Sequence, residues 1–216
     1  MSCSTSRRNI AGIVLAAGAS TRLGRPKQLV LLNGRPLLER VIAAVLESNL
    51  DHIVLVLGYR APEIKKALQS FLAHSKLSIL VNHNYQTGMA GSLQMGIQHI
   101  MNDYGAAMII LADHPFVVSG LINHLVDRFR ETDKAICVPT FKGRRGHPVC
   151  IRRRFYPDIM SLSGDIGARE ILREHPDQLL AVEMDSDRAF KDIDTKSDLE
   201  LAIALDDNNT EDETEG

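Results

Sequence analysis

The apolar run Ile10-Ala11-Gly12-Ile13-Val14-Leu15 passes directly into LAAGASTRLGRPKQL, residues Leu15 to Leu29, and that junction constrains the fold more than any other stretch. A short, β-branched run bounded by small residues predicts a buried first strand that delivers a glycine-rich loop to the carboxyl end of a sheet. In open α/β sheets the ligand crevice lies at those ends. Ala16, Ala17, Gly18 and Ala19 carry little or no side chain, so a ligand can reach backbone N–H groups that are free to donate. Arg22, Arg25 and Lys27 place positive charge just downstream. Amides beside cations suit a polyphosphate, whose oxygens a guanidinium can bond while the lysine acts as a point charge.

Two familiar phosphate loops do not fit. A Walker loop requires Gly-Lys followed by Ser or Thr, whereas Gly24 is followed by Arg25-Pro26 and Lys27 by Gln28. The dinucleotide fingerprint needs glycines at its first, third and sixth positions, and this loop has Gly18 and Gly24. The residues by themselves leave a phosphate loop of a third kind or an ordinary strand-to-helix turn with solvated cations. LAAGASTRLGRPKQL resembles the signature loop of the MobA-like nucleotidyltransferase superfamily, which joins an NTP to a phosphorylated acceptor. Gly146 to Glu170, GHPVCIRRRFYPDIMSLSGDIGARE, resembles the branch that makes dinucleotide forms of the molybdenum cofactor, the molybdenum cofactor cytidylyltransferases. The resemblance runs from about Ile10 to Leu205.

With 216 residues, 44% of them hydrophobic, the chain can bury roughly 70% or more of its unfolded-state surface. A single domain over residues 9–205 is expected, followed by a disordered acidic tail over 206–216. That tail, DDNNTEDETEG, has six acids and no base, which suits a solubilising end or a contact with a basic partner. The remainder carries 25 basic against 21 acidic side chains, dispersed rather than striped, so no nucleic-acid partner is expected. Cys3, Cys137 and Cys150 have no CxxC spacing, which suggests neither a zinc site nor a disulfide framework and fits a reducing cytoplasm. No apolar run reaches the roughly 18 residues that span a bilayer, and MSCSTSRRN lacks the apolar core of a signal peptide. A soluble, cytoplasmic protein with no membrane partner is the expectation.

Beyond the loop, Pro36 to Leu46 carries apolar residues at helical spacing, His52 to Leu57 reads as a second buried strand, Ala61 to Leu72 as an amphipathic helix and Leu77 to Val81 as a third strand. Such alternation predicts a parallel sheet covered on both faces. The expected fold class is therefore α/β: a single-domain, Rossmann-like three-layer fold with a mostly parallel central sheet. The resemblance implies its nucleotide-diphospho-sugar transferase, GT-A-like form.

Candidate site residues follow in chain order. Asn82 to Gly96 is polar and glycine-bearing ahead of a helix expected from about Ser92 to Met101. Ser92 reads as the N-cap of that helix or as a group near its positive end, and Asn82 as a turn residue or a donor to a base edge. The resemblance gives Ser92 a part in holding the base. Asp113 follows the apolar strand Ala106 to Ala112, two residues before Pro115, at the mouth of the crevice. It reads as a magnesium ligand, because a cation bridging a triphosphate takes one or two carboxylates with water and phosphate oxygens around them. The alternative is a cap for the next helix, about Ser119 to Arg130. Ala135 to Thr140 is a further strand, and Phe141 to Gly146 a basic hairpin turn returning through His147 to Ile151. His147 either walls an acceptor site or belongs to an ordinary exposed hairpin. Phe155 to Leu162 predicts a helix, and Ser163 to Gly167, with Gly164 and Asp165, a small-residue loop before another over Ala168 to Glu174. That helix start suits an anion, which Asp165 opposes unless it caps the helix or accepts hydrogen bonds from the acceptor's ring. Asp194 either caps the helix Lys196 to Leu205 or, as the resemblance implies, completes the magnesium site with Asp113.

The resemblance implies transfer of CMP from CTP to the terminal phosphate of a molybdopterin acceptor bearing molybdenum, with release of pyrophosphate. The acceptor oxygen is ionised near neutral pH, so positioning and charge neutralisation carry such a reaction. Arg22 and Lys27 are expected to hold the β- and γ-phosphates, while Mg2+ on Asp113 and Asp194 bridges nucleotide and acceptor. Leu15, Ala16, Ala17, Gly18, Ser20, Asn82 and Ser92 are expected to contact the nucleotide, and His147, Gly164 and Asp165 the acceptor. Guanylyl relatives tend to carry glycine at the position of Ala17, so its methyl group favours CTP over the larger GTP. Pro26 to Leu38 also resembles sugar-phosphate and erythritol-phosphate transferases. A non-catalytic binder that delivers the cofactor to a molybdenum hydroxylase apoenzyme would keep the loop without needing both Asp113 and Asp194.

Overall fold

The first strand, β1 (Ile10–Ala16), is buried along its whole length, as expected for an apolar run without polar alternation. The computed structural model describes residues 9–19 and 26–212. A small hairpin comes next, β2 (Leu31–Leu32) and β3 (Arg35–Pro36), turned by Asn33 and Gly34 at φ 47° and 79°. The chain then forms α1 (Leu37–Glu47), β4 (His52–Leu57), α2 (Ala61–Ala67), β5 (Leu77–Val81), α3 (Met89–Ile100) and β6 (Ala106–Leu111). It continues through α4 (Ser119–Arg130), β7 (Ile136–Phe141), β8 (Arg144–Arg145), β9 (Val149–Arg152), α5 (Tyr156–Ser161), α6 (Arg169–Glu174), β10 (Leu179–Glu183) and α7 (Lys196–Asp212).

Among the described residues the main sheet runs β10-β7-β9-β6-β1-β4-β5, with β8 paired to β7. β1, β4, β5 and β6 are parallel, and β9 lies antiparallel between β6 and β7. The winding reverses at β1, since β4 and β5 are added on one side of it and β6 on the other. An open α/β sheet forms its ligand crevice at that switch point, above the carboxyl ends of β1 and β6.

Alternate side chains of β1 feed opposite cores. Ile10, Val14 and Ala16 pack with Leu38 and Val41 of α1, Ile64 of α2 and Leu125 of α4. Ala11, Ile13 and Leu15 pack with Leu93 and Ile97 of α3, Ile159 of α5 and Ile171 of α6. The result is the three-layer arrangement expected. A Cβ on Gly96 would lie 2.6 Å from Cγ2 of Ile13, so α3 sits on β1 at a separation that needs glycine. A smaller core of Val30, Leu32, Leu37, Phe116, Ile193 and Ala202 fastens α7 to the β2–β3 hairpin.

The acidic tail expected from Asp206 does not begin there. α7 continues through Asp212, and Asp206 accepts hydrogen bonds from Nη1 and Nη2 of Arg40 at 2.9 and 2.7 Å and from Arg188 at 3.4 Å. Two guanidinium groups hold this carboxylate in a shielded position, its side chain 13% exposed, where charge pairing outweighs the tendency of an acidic run to stay solvated. Cys137 and Cys150 are free and buried. No helix of the described residues is long and apolar enough to cross a membrane.

Candidate active site

The loop leaving β1 is pinned by side chains and backbone from other elements. Nε2 of Gln28, itself 4% exposed, donates to the carbonyls of Ala16 at 2.8 Å and Gly18 at 3.1 Å. The carbonyl of Ala17 accepts from the N–H of Tyr59 at 3.1 Å. Leu15, Ala16, Ala17 and Gly18 thereby form one wall of a cleft whose other sides include Lys27, Tyr85, Met89, Ser92, Asp113 and Asp165. Ser20 and Arg22 lie outside the described residues.

Three charges meet where Lys27 and Asp113 line the cleft. Nζ of Lys27 lies 2.9 Å from Oδ2 of Asp113 and 2.5 Å from Oδ1 of Asp194. Asp113 does not spend its side chain on a helix. The residue preceding α4 is Val118, with no side-chain cap, so Asp113 is not the cap of that helix. At α7, Oγ1 of Thr195 accepts from the N–H of Asp198 at 3.2 Å, while Oδ2 of Asp198 accepts from the N–H groups of Thr195 and Asp194 at 2.7 and 3.0 Å. This reciprocal capping box closes the helix, and the Asp194 carboxylate faces Lys27. Burial pushes the Asp113 carboxyl up, but the Lys27 charge, the His114 ring and the Lys27 hydrogen bond together hold it below the ordinary aspartate range. For Lys27 burial pulls the value down, and the two carboxylates more than reverse it. Both groups are charged near neutral pH.

The other wall is a clasp between two segments. Met89 opens α3 after Gly88, which has φ +112°. A Cβ on Gly88 would lie 2.2 Å from the carbonyl carbon and oxygen of Gly164. The carbonyl of Gly164 accepts from the N–H of Ala90 at 3.1 Å, and Oδ1 of Asp165 from the N–H of Met89 at 3.3 Å. Asp165 thus serves the amino end of α3, not that of α6, whose preceding residue Ala168 makes no side-chain cap. Ser92 lies inside α3 rather than at its cap, because the helix begins three residues earlier than the polar stretch suggests. Its Oγ accepts from Nδ2 of Asn82 at 2.9 Å, and Oδ1 of Asn82 accepts from the N–H of Asn84 at 2.9 Å. Asn82 is therefore a buried support behind Ser92.

His147 does not line this cleft. Its ring is 5.7 Å from that of His114, Nδ1 is buried without a hydrogen-bond partner, and burial, aided by His114, lowers its pKa to about 4. Sequence reasoning missed Gln28, Tyr85, Met89 and Asp198. Thr195-Lys196-Ser197-Asp198 carried a readable signal, a threonine followed three residues later by an acid.

A glycine-bearing loop and two carboxylates meeting a lysine at the switch point of a mostly parallel sheet define a nucleotide-binding α/β protein. The chain belongs to the family of the MobA-like NTP transferase domain, whose model matches residues 12–179. The nicotine blue oxidoreductase of Paenarthrobacter nicotinovorans is 32% identical over 198 residues, covering 86% of this chain and 92% of that protein. A probable molybdenum cofactor guanylyltransferase of Thermococcus sibiricus is 29% identical over 133 residues, 61% of this chain and 62% of its own. The crystal structure of a homologue of Mycobacterium tuberculosis Rv0371c, from Mycobacterium sp. strain JC1, superposes with a TM-score of 0.78 at 26% identity, covering 92% of this chain and 97% of that one. Family and fold are those of nucleotidyltransferases.

Proposed function

We propose that the chain transfers CMP from CTP to the terminal phosphate of a molybdopterin acceptor bearing molybdenum. The observation that supports this most is that the Leu15–Gly18 loop, Lys27 and Asp113 line one cleft, with Asp194 joined to it through Lys27. The acceptor oxygen forms a bond to the α-phosphorus, and the bond from that phosphorus to the bridging oxygen breaks, its electron pair leaving with pyrophosphate. Lys27 sets positive charge against the leaving oxygens. Gln28 occupies two carbonyls that would otherwise repel phosphate. Ser92, already accepting from Asn82, has its hydroxyl proton to donate to an acceptor atom on the base. Tyr85 and Met89 flank that end of the cleft, and the Ala17 methyl group narrows it against a purine.

The carboxylates fit a divalent cation. Oδ1 of Asp113 is buried without a hydrogen-bond partner, and Oδ2 of Asp113 and Oδ1 of Asp194 already share one cationic partner. Among the described residues no group of three His, Cys, Asp or Glu side chains assembles, so a cation held here would complete its shell with water and substrate oxygens, as Mg2+ does. When bound, it would neutralise phosphate charge. Delivery of the product to a molybdenum hydroxylase apoenzyme in the cytoplasm completes the proposal.

Transfer of label from α-labelled CTP, with pyrophosphate release, is the direct test. The expected outcome is turnover with CTP and the molybdopterin acceptor, reduced about 10²- to 10³-fold in kcat by Asp113→Asn. Better turnover with GTP would assign guanylyl transfer and remove Ala17 as discriminator, and turnover with a sugar or polyol phosphate in place of the pterin would replace the acceptor. The 32% identity to an oxidoreductase across nearly its whole length favours oxidoreduction as a second reading. Oxidation of NADH or NADPH by a dye without any NTP, unaffected by Asp194→Asn, would select it.

A further inference from the structure

The cation between Asp113 and Asp194 is at present an ammonium of the chain itself. Nζ of Lys27 stands within hydrogen-bond distance of both, at 2.9 and 2.5 Å, and Lys27 is 8% exposed. A divalent ion drawn to the same two oxygens would meet that ammonium at close range in a partly desolvated site, where like charges repel far more than in water. Lysine can leave: its charge is a point on a flexible four-carbon stem, unlike the rigid fork of arginine. It also has somewhere to go, because Lys27 and the Ala17–Gly18 segment line the same cleft.

We propose that Lys27 is a displaceable counter-ion, occupying the cation position in the nucleotide-free protein and moving to the triphosphate as the divalent ion takes its place on Asp113 and Asp194. The inference rests on the reading of those two residues as the cation site. Its consequence is an order of events: nucleotide, alone or carrying its own cation, enters before the carboxylates can hold a metal. Every charge keeps a partner through the exchange, since the carboxylates pass from ammonium to metal while the ammonium passes to phosphate. A fixed Lys27 would instead stay between the carboxylates when nucleotide arrives, and CTP would leave its environment unchanged.

Mn2+ alone is the probe, titrated into the full chain without nucleotide and followed by loss of the sharp EPR signal of the free ion. Lys27→Met is expected to bind Mn2+ about tenfold or more tighter than wild type, and Lys27→Arg, which keeps the charge, to bind it as weakly as wild type. Adding Asp194→Asn to Lys27→Met should abolish the gain. Equal affinity in wild type and Lys27→Met overturns the proposal. Wild-type protein labelled with 13C at lysine Cε separates displacement from simple repulsion, and needs no variant that folds: CTP without metal should shift the Lys27 resonance, and Mn2+ without CTP should leave it sharp; a resonance unmoved by saturating CTP overturns the proposal. A Lys27 resonance broadened by Mn2+ alone also overturns it. Absence of pyrophosphate release from any NTP would bring down the transferase reading and leave the Mn2+ comparison standing, because that comparison contains no nucleotide.

Discussion

Asp194 can serve the cleft because Thr195 and Asp198 take over the closing of α7 between them. Gly88 has the opposite character, a position with no freedom at all. Its φ of +112° with ψ of 177° belongs to a region that is essentially reserved for glycine, and its missing Cβ is the space in which the Gly164 carbonyl sits. Gly88→Ala should therefore cost about 1 to 3 kcal/mol and open the clasp. Hydrogen exchange would report it, as faster exchange at the Ala90 amide, whose acceptor is the Gly164 carbonyl. Unchanged protection of that amide would mean the clasp does not depend on Gly88. Lys27 and Asp113 drew notice in the sequence by their places beside the glycine-bearing loop and after an apolar strand, whereas Asp194 drew it through the resemblance and otherwise read as a helix cap. Gln28 was not legible, since nothing in its type or neighbours says that its amide reaches back to Ala16 and Gly18.

At the scale of elements, α7 joins the surroundings of Asp194 to α1. It starts two residues after Asp194, packs through Ala202 on Leu32 and Phe116, and is clamped near Asp206 by Arg40 of α1 and by Arg188. Asp206→Ala would leave two partly buried guanidinium groups without their carboxylate. The expected loss is about 1 to 3 kcal/mol, below the cost of breaking a fully buried pair, and a urea titration measures it. Asp206→Glu should restore part of the loss, and a full-stability Asp206→Ala protein would show that the clamp adds nothing. Apolar runs announced β1, β4 and β6 almost to the residue because these strands are covered on both faces, and β5, an edge strand, because Leu77-Ser78-Ile79-Leu80-Val81 is still an apolar run. β10 was not announced: Leu179, Leu180 and Ala181 stand at the sheet's edge, paired on one side and only partly covered, so LLAVE carries little periodic signal. The β2–β3 hairpin went unread, although Asn33-Gly34 is a pair suited to a turn with positive φ at both positions. The end of α7 was hidden because acidic composition says nothing about Arg40 and Arg188 waiting across the fold.

For the molecule as a whole, His147 predicts how stability responds to acid. Burial, reinforced by the neighbouring His114 and Arg169, lowers its folded-state pKa to about 4, against about 6.5 when unfolded. Between those values the unfolded chain takes up a proton that the native protein refuses, so stability is complete above pH 6.5 and falls as pH drops towards 4. Over pH 7 to 4.5 this amounts to about 2 kcal/mol. Asp113 does not interfere in that window: its carboxyl is held below the ordinary 3.8, so the stability it contributes is lost only at still lower pH. His52, also lowered by burial, acts in the same direction as His147, and so the difference between two proteins is the useful quantity. His147→Phe removes the titration while keeping a ring of similar size beside His114; the hydrogen bond to the Ile109 backbone that it gives up lowers stability at every pH and so cancels from the comparison. Urea midpoints should fall less for His147→Phe than for wild type between pH 7 and 4.5, and two parallel falls would mean that the His147 ring reaches solvent and takes its proton in the folded state.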